Sequence, residues 1–165
     1  NDEGLTIRNI TPVIREAILQ DYYWPHHEKL NQTVEQQLKK FGKATILDCH
    51  SFPNKPFKRD LNQNPDRPDF NIGTDAFHTP KKLITLSQNF FNEKGFSVGL
   101  DWPYSGSIVP LAQYKKNKNV QSIMLEVNRS LYLDKNTNSR SKQYRETKDI
   151  IQEYLKLLKE NCNLL

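Results

Sequence analysis

Short apolar runs that alternate with amphipathic stretches are the feature that most restricts how this chain can fold. Four runs have the length of a strand and cover 44–47, 70–73, 96–100 and 120–127. Between them, apolar residues recur at the spacings of three and four that are typical of helices. This alternation predicts an α/β fold with helices on the faces of a sheet. The 165 residues show no repeat and no change of composition, so a single domain is expected.

Local signals place the ends of the helices and the longest loop. Thr11–Pro12 and Thr79–Pro80 each predict a helix start, with threonine as the N-cap and proline in the first turn. Another start is expected at Pro25, and a closing helix over 144–158. The run 44–47 predicts a strand buried on both faces. The stretch 51–69 is rich in Pro, Asn, Asp and Arg and predicts a long loop, which is usually functional or mobile.

Composition restricts the class of protein less than the pattern does. The net charge of +5 comes from scattered lysines and arginines, which we interpret as a solvated surface; a basic nucleic-acid-binding module is the alternative. The mean hydropathy is −0.79, and no apolar run approaches the roughly 18 residues that cross a membrane. Two cysteines, Cys49 and Cys162, make no disulfide framework, so a cytoplasmic location is expected.

The end of the first strand carries a reactive group of residues. His50 stands where ligands bind in open α/β sheets, and histidine serves as a metal ligand or as an acid or base. A structural histidine is the open alternative. Cys49 faces the opposite way by strand alternation and is not expected to be a nucleophile. Asp48 is also expected on the face away from His50, although it is a candidate to orient the imidazole.

Two further segments contain candidate site residues. Glu126 follows a strongly apolar run, where a carboxylate is costly to bury unless it is paired or used in chemistry. Arg129 is placed to bind a substrate carboxylate, or to form an ion pair with Glu126 at the sheet edge. The segment around Tyr104, Ser105 and Gly106 has the small residues and hydroxyls of a substrate-binding loop, but by itself indicates only a turn.

Together these segments resemble the N-formylglutamate amidohydrolase family. The resemblance is carried, in order, by ILDCHS at 46–51, NIGTD at 71–75, PYSGSIVP at 103–110 and MLEVNRSLY at 124–132. The stretch 22–30 is also similar to the helix that precedes the first of these motifs in the family. The resemblance implies a zinc carboxypeptidase-like fold, which is a three-layer α/β sandwich with a mixed, largely parallel sheet between helices.

The resemblance also implies a chemistry and a set of residues. One divalent metal, expected to be Zn²⁺, would be held by His50 as its third ligand, and Glu126 would activate the metal-bound water. The implied reaction is hydrolysis of a small anionic N-acyl amino acid, N-formyl-L-glutamate, to formate and L-glutamate, a step in histidine degradation. Arg129 is the first candidate for the substrate carboxylates. The other candidates for substrate binding are Arg59, Arg67, Tyr104, Ser105 and Gly106.

Some family features are missing from this chain. The first two metal ligands of the family, a His and a Glu, come from an earlier segment, so 1–165 is expected to be the C-terminal two-thirds of an amidohydrolase domain and inactive alone. His26, His27 and Glu28 are a less favoured substitute for that pair. Ser107, in place of a second glycine, leaves the acyl group open. A degenerate, non-catalytic paralogue is the remaining alternative. We expect neither a nucleic-acid nor a membrane partner, and the oligomeric state is left open.

Overall fold

Four helices and four strands make up the described chain. The structure is a computed structural model that describes residues 1–3 and 5–161, so Cys162 lies outside the described residues. The helices are α1 (Pro12–Ile18), α2 (Trp24–Phe41), α3 (Lys81–Glu93) and α4 (Tyr144–Asn161). The strands are β1 (Ala44–Phe52), β2 (Phe70–Gly73), β3 (Val98–Leu100) and β4 (Val120–Asn128). A π-helical turn, Leu19–Tyr23, joins α1 to α2, and a 3₁₀ turn, Arg129–Leu131, follows β4.

The four strands form one mixed sheet in the order β1-β4-β2-β3. The β1–β4 and β2–β3 pairs are parallel, and the central β2–β4 pair is antiparallel. The expected mixed, largely parallel sheet is therefore confirmed. Because β1 and β4 run the same way, their carboxyl ends meet at one end of the sheet, and the first residues of β2 lie beside them.

Helices cover the two faces of this sheet unequally. The larger core packs α3 and α4 on one face, and its buried members are Phe70, Ile72, Leu83, Phe91, Ile123, Leu125, Val127, Ile150, Tyr154 and Leu158. A smaller cluster of Val34, Ala44 and Val120 packs α2 against the amino-terminal half of the other face. The three layers are thus α2, the sheet, and α3 with α4, as expected. Loops, not a helix, cover the carboxyl-terminal half of the α2 face.

Two of the predicted helix starts differ in detail from the structure. Thr11 caps α1 as expected, because its hydroxyl accepts a hydrogen bond from the Ile14 N–H at 3.3 Å. The helix expected to start at Pro25 is α2, which begins one residue earlier at Trp24 and has no capping side chain, since α1 continues into it through the π-helical turn. Thr79 does not cap α3, because its hydroxyl donates to the Ser122 carbonyl at 2.6 Å and Pro80 is the N-cap residue.

The position of β1 corrects another expectation. Every residue of β4 is buried, whereas β1 lies at the edge of the described sheet and most of its residues are half-buried or exposed. An apolar run predicts a buried strand but does not specify how many neighbours the strand has, so β1 and β4 could not be distinguished in this respect. No helix in the described part of the chain is long and apolar enough to cross a membrane.

Candidate active site

Three polar side chains form a row across the sheet where β1 and β4 end. His50 of β1 lies opposite Glu126 of β4, and Glu126 lies opposite Asn71 of β2. Residues in register share a face of a sheet, so all three side chains point to the face that α2 leaves uncovered. The imidazole at 50 and the carboxylate at 126, which were predicted to converge, are therefore neighbours.

Asp48 lies on the same face as His50, which corrects the sequence-based expectation. The two residues are two positions apart in β1, and strand alternation places such residues on one face. Asp48 Oδ1 lies 2.8 Å from His50 Nε2. Asp48 Oδ2 accepts a hydrogen bond from the Ile108 N–H at 3.2 Å. Asp48 therefore orients the imidazole and also anchors the loop that follows β3.

Glu126 is a buried carboxylate with an unused oxygen. The residue is 6% exposed, and Oε2 has no hydrogen-bond partner among the described residues. Burial raises the pKa of Glu126; the nearby charges of His50 and Arg129 oppose this shift, and Asp48 adds to it. A buried carboxyl group with a raised pKa is characteristic of sites where a proton is moved.

Arg129 lies beside Glu126 without forming an ion pair with it. Its Nε donates to the Ser51 hydroxyl at 3.2 Å, and its Nη2 donates to the Ser51 carbonyl at 3.3 Å. These bonds use two of the five guanidinium N–H groups. The Glu–Arg ion pair considered from the sequence is absent from the described residues, and Arg129 keeps donors for a ligand.

The segment 101–110 crosses the sheet face next to this row. The Asn71 side chain holds it, because its Nδ2 donates to the Tyr104 carbonyl at 2.8 Å and its Oδ1 accepts from the Trp102 N–H at 3.0 Å. Gly73 permits the close approach: a Cβ at this position would overlap the Met124 side chain and the Gly106 carbonyl. Gly106 has φ of +93°, a conformation that favours glycine.

The two loop arginines occupy different environments. The Arg67 side chain is fully buried and donates to Asp60 Oδ2 at 2.8 Å. Arg59 is half exposed and pairs with Asp2 at 3.1 Å. Arg67 contributes a charge that lowers the pKa of Glu126, whereas Arg59 contacts none of the other predicted site residues. Arg67 Nη1 donates to the Tyr104 hydroxyl at 3.4 Å, so the structure brings these two predicted residues together, and Ser105 lines a small cavity beside them.

The described residues supply donor atoms for only part of a metal site. His50 offers an imidazole, and Glu126, in register with it, has a carboxylate oxygen without a hydrogen-bond partner in the described part of the chain. A catalytic zinc takes three protein ligands. Residues 1–3 and 5–161 contain no group of three His, Cys, Asp or Glu side chains able to hold a metal. His26 and His27 lie on α2, where the His27 ring packs 4.2 Å from the Tyr23 ring.

Cys49 points to the opposite face from His50, as expected. It is opposite Leu125 of the larger core and lines a groove with Ile151 of α4. Burial raises the pKa of the Cys49 thiol, and Asp48 adds to this shift. A thiol whose pKa is raised is a poor nucleophile.

Sequence reasoning did not single out two residues of this region. Asn71 lies within the NIGTD motif, and its in-register position opposite Glu126 depends on strand pairing that a sequence does not specify. Asp60 lies in the long loop, and its partners Arg67 and Tyr104 are 7 and 44 positions away. Only the folded chain brings Asp60 together with Tyr104.

The fold and the row at the strand ends define an α/β sandwich with a polar site at the carboxyl ends of β1 and β4. Residues 1–133 match the N-formylglutamate amidohydrolase family, and the chain belongs to that family. The crystal structure of N-formylglutamate amidohydrolase from Ralstonia eutropha JMP134 is similar, with a TM-score of 0.81 and 26% sequence identity. The match covers 96% of this chain and 59% of that one, so the chain spans about three-fifths of its length. No curated protein matches the chain.

Proposed function

We propose that the protein hydrolyses the amide bond of N-formyl-L-glutamate to give formate and L-glutamate. Membership of the family and the similar crystal structure support this reaction class. The observation that carries the proposal is the placement of Glu126 beside His50, with a buried carboxylate oxygen that accepts no hydrogen bond from residues 1–3 and 5–161. Such an orphaned acceptor is costly in a purely structural setting and is explained by a ligand or a water that occupies it.

Glu126 would act as the proton carrier of the reaction. Its carboxylate would accept a proton from the attacking water and pass it to the departing amine. A raised pKa suits the first of these steps, because a carboxylate whose pKa is raised accepts a proton from water more readily. Asn71 and Gly73 would keep the segment 101–110 close to this carboxylate, and so limit the water around it.

His50 would supply one ligand to a divalent metal, for which Zn²⁺ is proposed. When bound, the metal would lower the pKa of a water and polarise the amide carbonyl. The bond between Nε2 and Asp48 leaves Nδ1 as the nitrogen available for a ligand. Because the described residues group no three such side chains, we propose that chain 1–165 alone has much lower activity than full-length relatives.

Arg129 would bind a carboxylate of the substrate. It lies next to Glu126 and retains three N–H donors, and an arginine can bind a carboxylate through two parallel hydrogen bonds. Arg67 is less free, since protein acceptors occupy its terminal nitrogens. Arg59 would add charge at the rim only. Tyr104, Ser105 and Gly106 would form the wall of the pocket.

The proposal is tested by formate release from N-formyl-L-glutamate in the presence of Zn²⁺. Glu126→Gln should abolish whatever turnover the protein shows, and the matched control Glu93→Gln, at an exposed position of α3, should not. Turnover retained by Glu126→Gln would exclude the proposed base. If chain 1–165 turned over as fast as a full-length relative, the proposed need for further ligands would be wrong. A chain that neither binds nor hydrolyses the substrate would favour the degenerate paralogue.

A further inference from the structure

One carboxylate oxygen connects the two loops that flank the candidate site. Oδ2 of Asp60 accepts three hydrogen bonds, from Arg67 Nη2 at 2.8 Å, the Phe57 N–H at 3.0 Å and the Tyr104 hydroxyl at 3.1 Å. The Asp60 and Arg67 side chains are 9% and 0% exposed. Asp60, Arg67 and Tyr104, which we call the clasp, therefore form a buried unit built from two separate loops.

The hydrogen bonds of Arg67 are almost fully committed within the protein. Nη1 donates to the Pro53 carbonyl at 3.1 Å and to the Tyr104 hydroxyl at 3.4 Å. Nη2 donates to Asp60 and, at 3.3 Å, to the Asn62 carbonyl. Only Nε lacks a partner among the described residues. An arginine used in this way holds loops together and has no pair of parallel donors left for a carboxylate.

The clasp lies at the end of the sheet face that carries the site. Phe52 is two positions beyond His50 in β1, so its side chain points to the same face. The Tyr104 ring lies 6.2 Å from the Phe52 ring, and the Arg67 guanidinium lies 6.0 Å from it. A cavity of about 290 Å³ opens between the two loops and is lined by the clasp, Leu61, Asn62, Pro103 and Ser105.

The charge of Asp60 is stable across the neutral range. Burial alone would raise the pKa of the Asp60 carboxyl, but the hydrogen bonds from Arg67, the Phe57 N–H and Tyr104 outweigh burial and lower it. A lowered carboxyl pKa means that the ionised form, which makes these bonds, persists well below neutral pH. The Asp60 carboxylate that forms the clasp is therefore ionised at neutral pH.

We propose that Asp60 is a positioning residue, whose carboxylate joins the loop 53–69 to the segment 101–110 and so fixes the wall of the substrate pocket. The hydrogen bonds to Asp60 hold Arg67 and Tyr104 in place. Without these bonds, each of the two loops moves independently. The effect on substrate binding rests on the proposed function, whereas the joining of the loops does not. Loss of the joint should raise KM more than it lowers kcat, since Asp60 does not touch the reacting groups.

Hydrogen–deuterium exchange of the whole chain tests the joint without relying on activity. In Asp60→Asn, amides in both 53–69 and 101–110 should exchange about tenfold faster, the effect of losing a hydrogen bond to a charged group. Tyr104→Phe, which changes only one hydroxyl, should speed exchange in 53–69 about fivefold although it lies outside that loop. Asp66→Asn is the matched control, because Asp66 is exposed in the same loop and its side chain makes no described hydrogen bond.

The outcomes separate the joint from the reaction. Faster exchange confined to 53–69 in Asp60→Asn, or unchanged exchange of 53–69 in Tyr104→Phe, overturns the proposal. If Asp60→Asn does not fold, the Tyr104→Phe result decides. With N-formyl-L-glutamate as the substrate, a rise in KM with kcat nearly constant supports the positioning role, and an unchanged KM refutes it. Absence of turnover in the parent chain counts against the proposed function only, and the exchange results then decide the joint.

Discussion

Replacing Glu126 by Gln should make the metal-free protein more stable at neutral pH. The wild-type carboxylate is 6% exposed and its Oε2 makes no hydrogen bond to a described residue. Burial is the main cause that raises the pKa of Glu126, which means that the folded state disfavours the charged form. Glutamine has nearly the same shape and carries no charge, so it removes this cost without leaving a void.

The expected gain is about 1–2 kcal/mol. A buried polar group without a partner costs about 1–3 kcal/mol, and a charged one costs more. The positive charge of Arg129 offsets part of that cost in the wild-type protein. The amide of the variant stays buried too, which reduces the difference further. For a domain of this size, each kcal/mol corresponds to about 2–4 °C in Tm.

The stability gained by replacing Glu126 with Gln should increase as the pH rises. At a pH below the unfolded-state value of about 4.3, Glu126 is protonated in both states, so wild type and variant should be similarly stable. As pH rises, the unfolded chain releases this proton before the folded one, and the wild type loses stability relative to the variant. Above the folded-state pKa the difference is complete and stays constant.

Urea denaturation at several pH values, with a chelator present, measures this difference. Glu93→Gln serves as the control, since Glu93 lies exposed near the end of α3. A wild-type protein as stable as Glu126→Gln at neutral pH would show that the buried carboxylate carries no cost. A difference that is equally large at pH 4 and pH 7.5 would show that shape, not charge, is responsible.

Three further predictions concern the site and the core. Arg129→Ala should weaken binding of N-formyl-L-glutamate about 10- to 100-fold by calorimetry, and an equal loss for an uncharged N-formyl amino acid would make Arg129 structural. In a full-length protein that supplies the remaining ligands, His50→Ala should lower the zinc bound per chain, measured by elemental analysis, and unchanged zinc would exclude it as a ligand. Burial raises the pKa of Tyr154 to about 12, against about 10 in an unfolded chain, so stability should fall by up to about 3 kcal/mol between pH 10 and 12. In Tyr154→Phe, urea denaturation should show a stability loss between pH 10 and 12 that is smaller by this amount. The same loss in variant and wild type would show that Tyr154 does not cause it.

The secondary structure was largely predictable because its signals are local. The strand predicted at 70–73 has those bounds in the structure, and the strand predicted at 120–127 extends one residue further. The closing helix starts at Tyr144 as expected and continues to Asn161. The helix start expected at Pro25 lies within one residue of the start of α2 at Trp24, but the sequence pattern does not reveal the π-helical turn that joins α1 to α2.

The site was predictable only where strand geometry alone determines it. The positions of His50 and Glu126 at strand ends follow from the apolar runs, but their pairing depends on the β1–β4 register. Alternation along β1 already places Asp48 on the His50 face, so the opposite expectation misapplied a local rule. Asp60 is different, because its role depends on Tyr104, a contact across 44 positions that no local pattern contains.

A change of side-chain chemistry along one face of β1 explains why the site lies where it does. Ala44 and Ile46 point to this face at the amino end and pack under α2, whereas Asp48 and His50 point to it at the carboxyl end. A helix could cover the second half only by burying the polar pair against apolar side chains, which is costly without partners. Loops can instead supply partners from their backbone, as Ile108 does for Asp48. The long loop and the segment 101–110 therefore complete the layer that α2 begins, and among the residues that the structure describes they leave Oε2 of Glu126 without a hydrogen-bond partner.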